Sequence, residues 1–272
     1  MAIVNLTDDS YFAESRCGGV EAALQRIGSM VEEGADIIDI GACSSRPGSV
    51  PIGPEQEWNR LRPVLEAVKA RFPDVRISVD TYWSSVVEKV HGLIGDFIVN
   101  DISAGEDDPE MLPTVGRLGL EYVAMHKRGT SVDMQSLTDY DDVVREVAEY
   151  FIEFSARAEK AGVRNWILDP GFGFAKTVEQ NYQLLCYLRE IQTEVAIQGA
   201  SATWHSPRIL VGVSRKSMIY KPLGLTPEDV LAATQAVHMA ALMNGADILR
   251  VHDVKEAKQT ISLFEIIESA SF

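Results

Sequence analysis

"EYVAMH" at 121–126, "YDDVVREVAEYFIEFSARAEKAG" at 140–162 and "NWILDPG" at 165–171 form one repeating unit. The two outer segments are short apolar runs typical of buried strands. The middle segment has apolar residues every three or four positions and ends in glycine, as an amphipathic helix does. A strand, a helix and a second strand in this order predict parallel strands joined by a crossover helix.

The same unit recurs along the chain. Strand candidates lie at 2–5, 36–41, 76–81, 97–103, 121–126, 165–171, 208–214 and 248–253, and helical patterns such as those at 20–34 and 227–245 separate them. We therefore predict an α/β fold, a single (β/α)8 TIM barrel with parallel strands, with an open doubly wound sheet as the alternative. No linker marks a boundary, so residues 1–272 are predicted to form one domain, with a surface loop at 193–208.

Composition restricts the classes of partner. The formal net charge is −15, which disfavours binding to nucleic acid or to an anionic membrane surface because both need a basic footprint. The sequence has no run of 18 uncharged apolar residues that would predict a membrane span. The first residues lack a secretory signal pattern, and the three cysteines form no CxxC pair. These features predict a cytoplasmic protein without a disulfide framework.

Polar side chains collect where the predicted strands end, which is where barrels of this kind carry their active sites. Asp80, Asn100 and Asp169 offer carboxylate and amide oxygens that suit a planar heterocycle with several N–H groups. A positive rim for a phosphate or diphosphate is predicted from Arg46, Lys176, Arg215, Lys216, Arg250 and His252. Each residue also has a plainer interpretation: Asp80 as a helix cap, Arg215 as a solvated charge, and Cys43 as a packed thiol.

Eight motifs in order carry a resemblance to a known family: "NLTDDS", "IDIGACSSRPG", "SVDT", "NDIS", "MH", "DPGFGF", "GVSRKS" and "RVHDV". Together they span essentially the whole chain and resemble the dihydropteroate synthases. The resemblance implies a transferase of folate biosynthesis. Such an enzyme condenses 6-hydroxymethyl-7,8-dihydropterin diphosphate with para-aminobenzoate, through a pterin methylene cation, to 7,8-dihydropteroate and diphosphate. It further implies Mg²⁺ as cofactor, sulfonamides as inhibitors and a homodimer formed through the last helices.

The resemblance also implies roles for individual residues. The pterin would be held by Asp80, Asn100, Ile102, Met125, Asp169 and Lys216. The para-aminobenzoate would be framed by Ser45, Pro47, Phe174 and Ser217. The diphosphate would be bound by Asn5, Arg250 and His252, with Asn5 also the ligand to magnesium. The catalytic residues would be Lys216, Arg250, His252 and Asp9, with Asp9 near the cation.

The chain departs from the family pattern in two loops. Ala42-Cys43-Ser44-Ser45 stands where Gly-Glu-Ser-Thr is common, and Lys127-Arg128 stands where Met-Gln is usual. The family also has a lead-in segment before the first strand, so we expect this chain to be trimmed.

Two alternative functions stay open at this point. A pterin-binding methyltransferase domain shares the barrel but hands a methyl group to a cobalt cofactor. A non-catalytic pterin-binding protein would bind the pterin without turnover. The "SRKS" and "RVHD" motifs favour the synthase, because a methyl carrier needs no diphosphate site. HExxH, GxxxxGK and GxGxxG motifs are absent from the sequence.

Overall fold

The structure, a computed structural model, describes residues 1–6, 16–43, 52–130, 133–200 and 207–270. The described part contains eight strands: β1 (Ala2–Asn5), β2 (Ile37–Gly41), β3 (Arg76–Asp80), β4 (Ile98–Asp101), β5 (Glu121–Met125), β6 (Trp166–Asp169), β7 (Arg208–Val211) and β8 (Ile248–Leu249). They follow one another in chain order in a parallel sheet. Chain-order parallel pairing requires a crossover after each strand, which the helices supply.

Ten α-helices lie in the described residues. They are α1 (Arg16–Glu32), α2 (Pro54–Arg71), α3 (Ser84–Ile94), α4 (Met111–Leu118), α5 (Val143–Ala161), α6 (Val178–Cys186), α7 (Leu188–Gln198), α8 (Ser217–Leu223), α9 (Leu231–Met243) and α10 (Val254–Ala270). A short 3₁₀ helix, Met134–Ser136, precedes α5. Among these described helices, none combines the length and apolar character needed to cross a bilayer.

The residues group into two compact units. The first comprises Met1–Ala124 and Ala158–Trp166, and the second comprises Met125–Arg157 and Ile167–Phe272. Both units contain fully buried apolar residues. In the first, Ile38, Val79 and Val99 are fully buried, and in the second Phe151 and Leu210 are fully buried. The assignment of residues 1–272 to one domain stays a prediction.

The segment after β6 is fixed by the start of α6. The Thr177 hydroxyl accepts a hydrogen bond from the Gln180 backbone N–H at 3.2 Å, and the Gln180 side chain accepts one from the Thr177 N–H at 2.8 Å. This reciprocal capping box satisfies two N–H groups that the first helical turn would otherwise leave unpaired. The helix start therefore anchors the glycine-rich segment "DPGFGF", which ends three residues before Thr177.

The prediction of a surface loop at 193–208 is wrong for the first part of that segment. Residues 193–198 are helical and belong to α7. The helix forms because Leu188, Ile191 and Val195 recur at three- and four-residue spacing and are buried. Two of these three residues precede residue 193, so the segment 193–208 taken alone contains too little of the apolar pattern to predict a helix. Residues 201–206 lie outside the described part of the chain.

Candidate active site

A polar face crosses β2, β3 and β4 in the first unit. Asp39 is fully buried on β2. Its Oδ1 accepts a hydrogen bond from the Ser78 hydroxyl at 2.6 Å, and its Oδ2 accepts one from the Asn100 side-chain amide at 3.1 Å. The donation by Asn100 Nδ2 sets the orientation of the amide and leaves Oδ1 as its acceptor. Sequence analysis missed Asp39, although a carboxylate inside the apolar run "DIIDIG" was a visible signal.

The ends of β1, β2, β3 and β4 bring three predicted site residues onto neighbouring strands. Asp80 pairs in register with Asn100 on one side and with Gly41 on the other. Gly41 in turn pairs with Asn5, the last residue of β1. A Cβ atom at Gly41 would lie 3.1 Å from Asp80 Cβ, so the glycine leaves room for the carboxylate. Asp80 and Asn5 are both half-buried, whereas Asn100 is buried.

A second buried carboxylate shapes the turn after β4. Asp101 accepts hydrogen bonds from the Tyr122 hydroxyl at 2.6 Å, from the Gly105 N–H at 2.9 Å, and from both the N–H and the hydroxyl of Ser103 at 2.7 Å. Burial raises the pKa of Asp101, and these donors, Tyr122 first, oppose that rise. The network fixes the turn that carries the half-buried Ile102.

We expect Tyr122→Phe to lower the free energy of unfolding by about 2 kcal/mol, because it removes a hydrogen bond to a buried carboxylate. Urea unfolding followed by circular dichroism measures this. Tyr187→Phe is the control, since the Tyr187 side chain is 45% exposed. An equal effect of the two substitutions would show that Asp101 does not depend on the Tyr122 hydroxyl.

The second unit places a buried carboxylate, Asp169, at the end of β6. Its Oδ1 accepts a hydrogen bond from the Gly171 N–H at 2.8 Å. Burial raises the pKa of Asp169, whereas the positive charge of Lys216, the Gly171 N–H, and the charges of Arg250 and Lys176 lower it. Three cations thus surround one carboxylate, an arrangement that favours binding of an additional anion. Met125, the last residue of β5, is also buried.

Gly171 is a glycine for a steric reason. Its φ is +72°, in the left-handed region, and a Cβ atom there would collide with the carbonyl oxygen of His126. A larger residue would meet both the backbone strain and the collision. The close approach of the two backbone segments therefore depends on this position.

Lys216 precedes α8 and reaches towards the glycine-rich segment. Its ammonium donates to the Phe172 carbonyl at 2.6 Å and lies 5.1 Å from the centroid of the Phe174 ring. Burial lowers the pKa of Lys216 to about 8, with Asp169 opposing the shift and Arg250 adding to it. Lys216 and Phe174 are both half-buried, so this pair of side chains stays accessible to a ligand.

Backbone N–H groups after β8 bond to the last residue of β7 and to the segment that follows it. The Arg250 N–H donates to the Val211 carbonyl at 2.9 Å, and the His252 N–H donates to the Ser214 hydroxyl at 3.3 Å. Arg250, His252 and Ser217 are half-buried. The second unit therefore presents cationic side chains near the strand ends, as a diphosphate site requires.

The family model described as "Pterin binding enzyme" matches residues 1–252. The chain belongs to this family of pterin-binding enzymes. It is 39% identical to the dihydropteroate synthase of Escherichia coli (strain K12), over 99% of this chain and 92% of that protein. The Yersinia pestis dihydropteroate synthase structure with a sulfonamide drug has a TM-score of 0.88 and 34% identity, covering 99% of this chain and 94% of that one.

A Xanthomonas albilineans dihydropteroate synthase structure with 4-aminobenzoic acid has a TM-score of 0.87 and 35% identity, covering 98% of this chain and 92% of that one. These comparisons confirm the predicted (β/α)8 barrel. They also confirm the predicted function, a dihydropteroate synthase in folate synthesis.

Two residues that were predicted to belong to the positive rim, Lys176 and Arg215, do not belong to it. Lys176 is only 5% exposed. Arg215 binds Asp253 through Nε at 2.8 Å and Nη2 at 2.9 Å, and its Nη1 donates to the Pro227 carbonyl at 2.9 Å. The hydrogen bond to Asp253 is the main cause of the raised pKa of Arg215. Arg215 is therefore a structural clamp between the segments after β7 and β8, neither a rim residue nor a solvated charge.

Four residues singled out in the sequence, Asp9, Ser45, Arg46 and Pro47, lie outside the described residues. Their roles stay predictions. Cys43 is half-buried, with its Sγ 3.8 Å from the Tyr82 hydroxyl oxygen.

The residues present are compatible with magnesium. Within the described residues, no group of three His, Cys, Asp or Glu side chains is arranged to hold a metal ion. Asn5 offers one amide oxygen, and Mg²⁺ takes oxygen ligands, usually keeping several waters and binding substrate phosphates beside few protein ligands. A single amide oxygen thus fits an ion that arrives with a diphosphate.

Proposed function

We propose that this chain joins the methylene carbon of 6-hydroxymethyl-7,8-dihydropterin diphosphate to the amine of para-aminobenzoate. The observation that carries the proposal is the buried carboxylate of Asp169 close to the positive charges of Lys216 and Arg250, with Lys216 beside the Phe174 ring. A carboxylate can accept paired N–H groups of a pterin, while the surplus positive charge suits its diphosphate.

The pterin contacts follow from the family resemblance, and the residue types suit them. In the first unit, Asp80 and Asn100 accept hydrogen bonds from the heterocycle, and Ile102 gives an apolar contact. In the second unit, Asp169 accepts from the ring N–H groups and Met125 supplies the apolar contact. Lys216 donates to the carbonyl side of the ring. The hydrogen bond from the Asn100 amide to Asp39 fixes the orientation of that amide, which supports the role of Asn100 as an acceptor.

We assign Arg250, His252 and the magnesium ligand Asn5 to the step in which the diphosphate leaves. The carbon–oxygen bond to the diphosphate breaks, both electrons leave with the diphosphate, and a pterin methylene cation remains. Arg250 and His252 bind the leaving oxygens, and the charge of Arg250 and the hydrogen bond from His252 stabilise the transition state. Asn5 would hold the magnesium ion, which when bound neutralises negative charge on the diphosphate.

The second substrate is assigned to the glycine-rich segment and to α8. Phe174 packs on the aminobenzoate ring, and Ser217 binds its carboxylate. By family resemblance, Ser45 and Pro47 complete the contacts and Asp9 lies near the cation. The amine nitrogen attacks the cation to form the C–N bond and then loses its proton to water, so a strong general base is unnecessary. We propose that sulfonamides compete at these contacts, a proposal supported by the sulfonamide complex of the Yersinia pestis enzyme and the 4-aminobenzoic acid complex of the Xanthomonas albilineans enzyme.

We further propose a cytoplasmic homodimer formed through α10. Leu263, Ile266 and Ile267 on this helix are 56%, 62% and 47% exposed. Large apolar side chains so clustered on one helix favour burial against another protein surface. The cysteine usage supports the location.

Diphosphate release by the purified protein tests the proposal, measured with dihydropterin diphosphate and Mg²⁺, with and without para-aminobenzoate. We expect release to depend on aminobenzoate and to fall about 100-fold or more in Lys216→Ala, which removes a cation beside the reacting ring. Lys255→Ala on α10, where the side chain is exposed, is the control and should keep full activity.

The same assay separates the alternatives. Release without dihydropteroate would mean that the cation forms but the second substrate is not presented. Tight pterin binding with no release would indicate a non-catalytic protein. No release in this assay, together with methyl transfer when a methylated pterin donor and a cobalt cofactor are supplied, would indicate the methyltransferase.

A further inference from the structure

Lys176 is a buried cation that the chemistry above does not use. Its ammonium makes three contacts: His126 Nδ1 at 3.0 Å, the Gly171 carbonyl at 3.1 Å and the Phe174 carbonyl at 3.0 Å. A lysine ammonium has three N–H donors, so these contacts use all of them. Because the side chain is buried and its donors are used, Lys176 is not available to bind substrate directly.

The three acceptors define what Lys176 holds. Gly171 and Phe174 are the first and last residues of one turn, in which the Phe174 N–H donates to the Gly171 carbonyl at 3.1 Å. His126 belongs to the segment after β5, which Gly171 contacts closely. Lys176 therefore ties both ends of the turn to that segment. At the middle of the turn, the Phe172 carbonyl is bound by Lys216.

The same turn is anchored to α6 and to Asp169. The Gly173 N–H donates to the Asn181 side chain at 2.7 Å, and the Asn181 amide donates to the Thr177 carbonyl at 2.6 Å. The Gly171 N–H donates to Asp169. A change in the shape of the turn therefore changes the hydrogen bonding of Asp169 and the position of Phe174.

The charged and titratable groups that face Lys176 are His126, Asp169, Lys216 and Arg128. Burial, chiefly, lowers the pKa of His126 well below its usual value, so the imidazole is neutral and its Nδ1 can accept. Burial lowers the pKa of Lys176 to about 7; Asp169 opposes the shift, while Lys216 and Arg128 add to it. Deprotonation leaves the amine with two N–H donors for three acceptors.

We infer that Lys176 is a positioning residue that holds the 171–174 turn in the shape that presents Asp169 to the pterin and Phe174 to the aminobenzoate. The inference rests on the proposed function for those two contacts. Its effect on catalysis passes through Asp169 and Phe174, because the Lys176 ammonium is buried and all three of its donors are used by protein acceptors.

The test compares Lys176→Met, which keeps length but removes charge and donors, with Lys176→Arg, which keeps the charge. Lys255→Met is the matched control, since that lysine is exposed on α10. We expect Lys176→Met to lower kcat/KM for both substrates about 30-fold, because three buried acceptors lose their donor. For the same reason, amide hydrogen exchange at residues 171–174 should become about tenfold faster. Lys176→Arg should recover part of both losses.

If Lys176→Met fails to fold, the wild-type protein still gives an answer. Its exchange at residues 171–174, corrected for the intrinsic pH dependence of exchange, should quicken as the pH rises through about 7, where the ammonium loses its proton. Corrected exchange that stays flat from pH 6 to 9 would overturn the inference.

The two proposals fail in different ways. Absence of turnover by the wild-type protein contradicts the proposed function, whereas the exchange measurements still decide whether Lys176 holds the turn. With an active wild-type protein, Lys176→Met behaving like Lys255→Met in both kinetics and exchange would overturn the positioning role.

Discussion

Asp169→Asn should lower kcat/KM for dihydropterin diphosphate by about 100- to 1000-fold, equivalent to about 3–4 kcal/mol. The substitution keeps the shape of the side chain, and an amide oxygen can still accept the hydrogen bond from the Gly171 N–H. The other atom becomes an NH₂ group, which would face an N–H group of the pterin and cannot accept from it. Steady-state kinetics with dihydropterin diphosphate varied at saturating aminobenzoate measures the loss.

Asp96→Asn is the matched control for this substitution, because the Asp96 side chain is 92% exposed. It should leave kcat/KM unchanged. Thermal unfolding of both variants checks that the fold persists. Wild-type kinetics in a folded Asp169→Asn variant would remove Asp169 from the pterin site.

Glu57→Gln should raise the free energy of unfolding by about 3 kcal/mol at pH 8 and change it little at pH 4.5. Glu57 lies in the first turn of α2 and is fully buried. Burial, chiefly, raises its pKa from 4.5 to about 7, and the charge of Asp80 adds to the rise. The Thr81 hydroxyl opposes the shift, but neither carboxylate oxygen has a hydrogen bond of good geometry in the described part of the chain.

The direction of this effect follows from the raised pKa. Between pH 4.5 and 7 the folded protein holds a proton on Glu57 that the unfolded chain releases, so the wild type loses stability as the pH rises. Glutamine resembles the protonated acid at every pH. Urea unfolding at several pH values measures the difference, with Glu55→Gln as control because Glu55 is exposed in the same turn. Parallel pH profiles for the wild type and Glu57→Gln would contradict the account.

Much of the fold could be predicted from the sequence, because alternating strands and amphipathic helices leave strong periodic signals. Strand ends were harder to place. The expected fourth strand at 97–103 ends at Asp101 in the structure, because Asp101 draws Ser103 and Gly105 into a turn. The apolar pattern of the sequence continues to Ile102, whereas the backbone pairing of this strand with its neighbours stops at Asp101. Side-chain hydrogen bonds that bend a chain have no periodicity from which they could be predicted.

In the candidate site, too, some residues could be recognised from the sequence and others could not. The position of Asp80, Asn100 and Asp169 near strand ends could be predicted, because polar residues that close an apolar run stand out in the sequence. Asp39 and Lys176 have roles that depend on partners distant in sequence. Asp39 needs Asn100, 61 residues away, and Lys176 needs His126, 50 residues away. Arg215 looked like a surface charge for the same reason, since Asp253 lies 38 residues further along the chain.

The most direct test of the central claim is the amount of dihydropteroate formed for each diphosphate released. Mass spectrometry would quantify dihydropteroate, and a coupled assay would quantify diphosphate, after incubation of the purified protein with dihydropterin diphosphate, para-aminobenzoate and Mg²⁺. The proposed condensation predicts equal amounts of the two products, both growing with time. Diphosphate released without matching dihydropteroate, or no diphosphate at all, would contradict it.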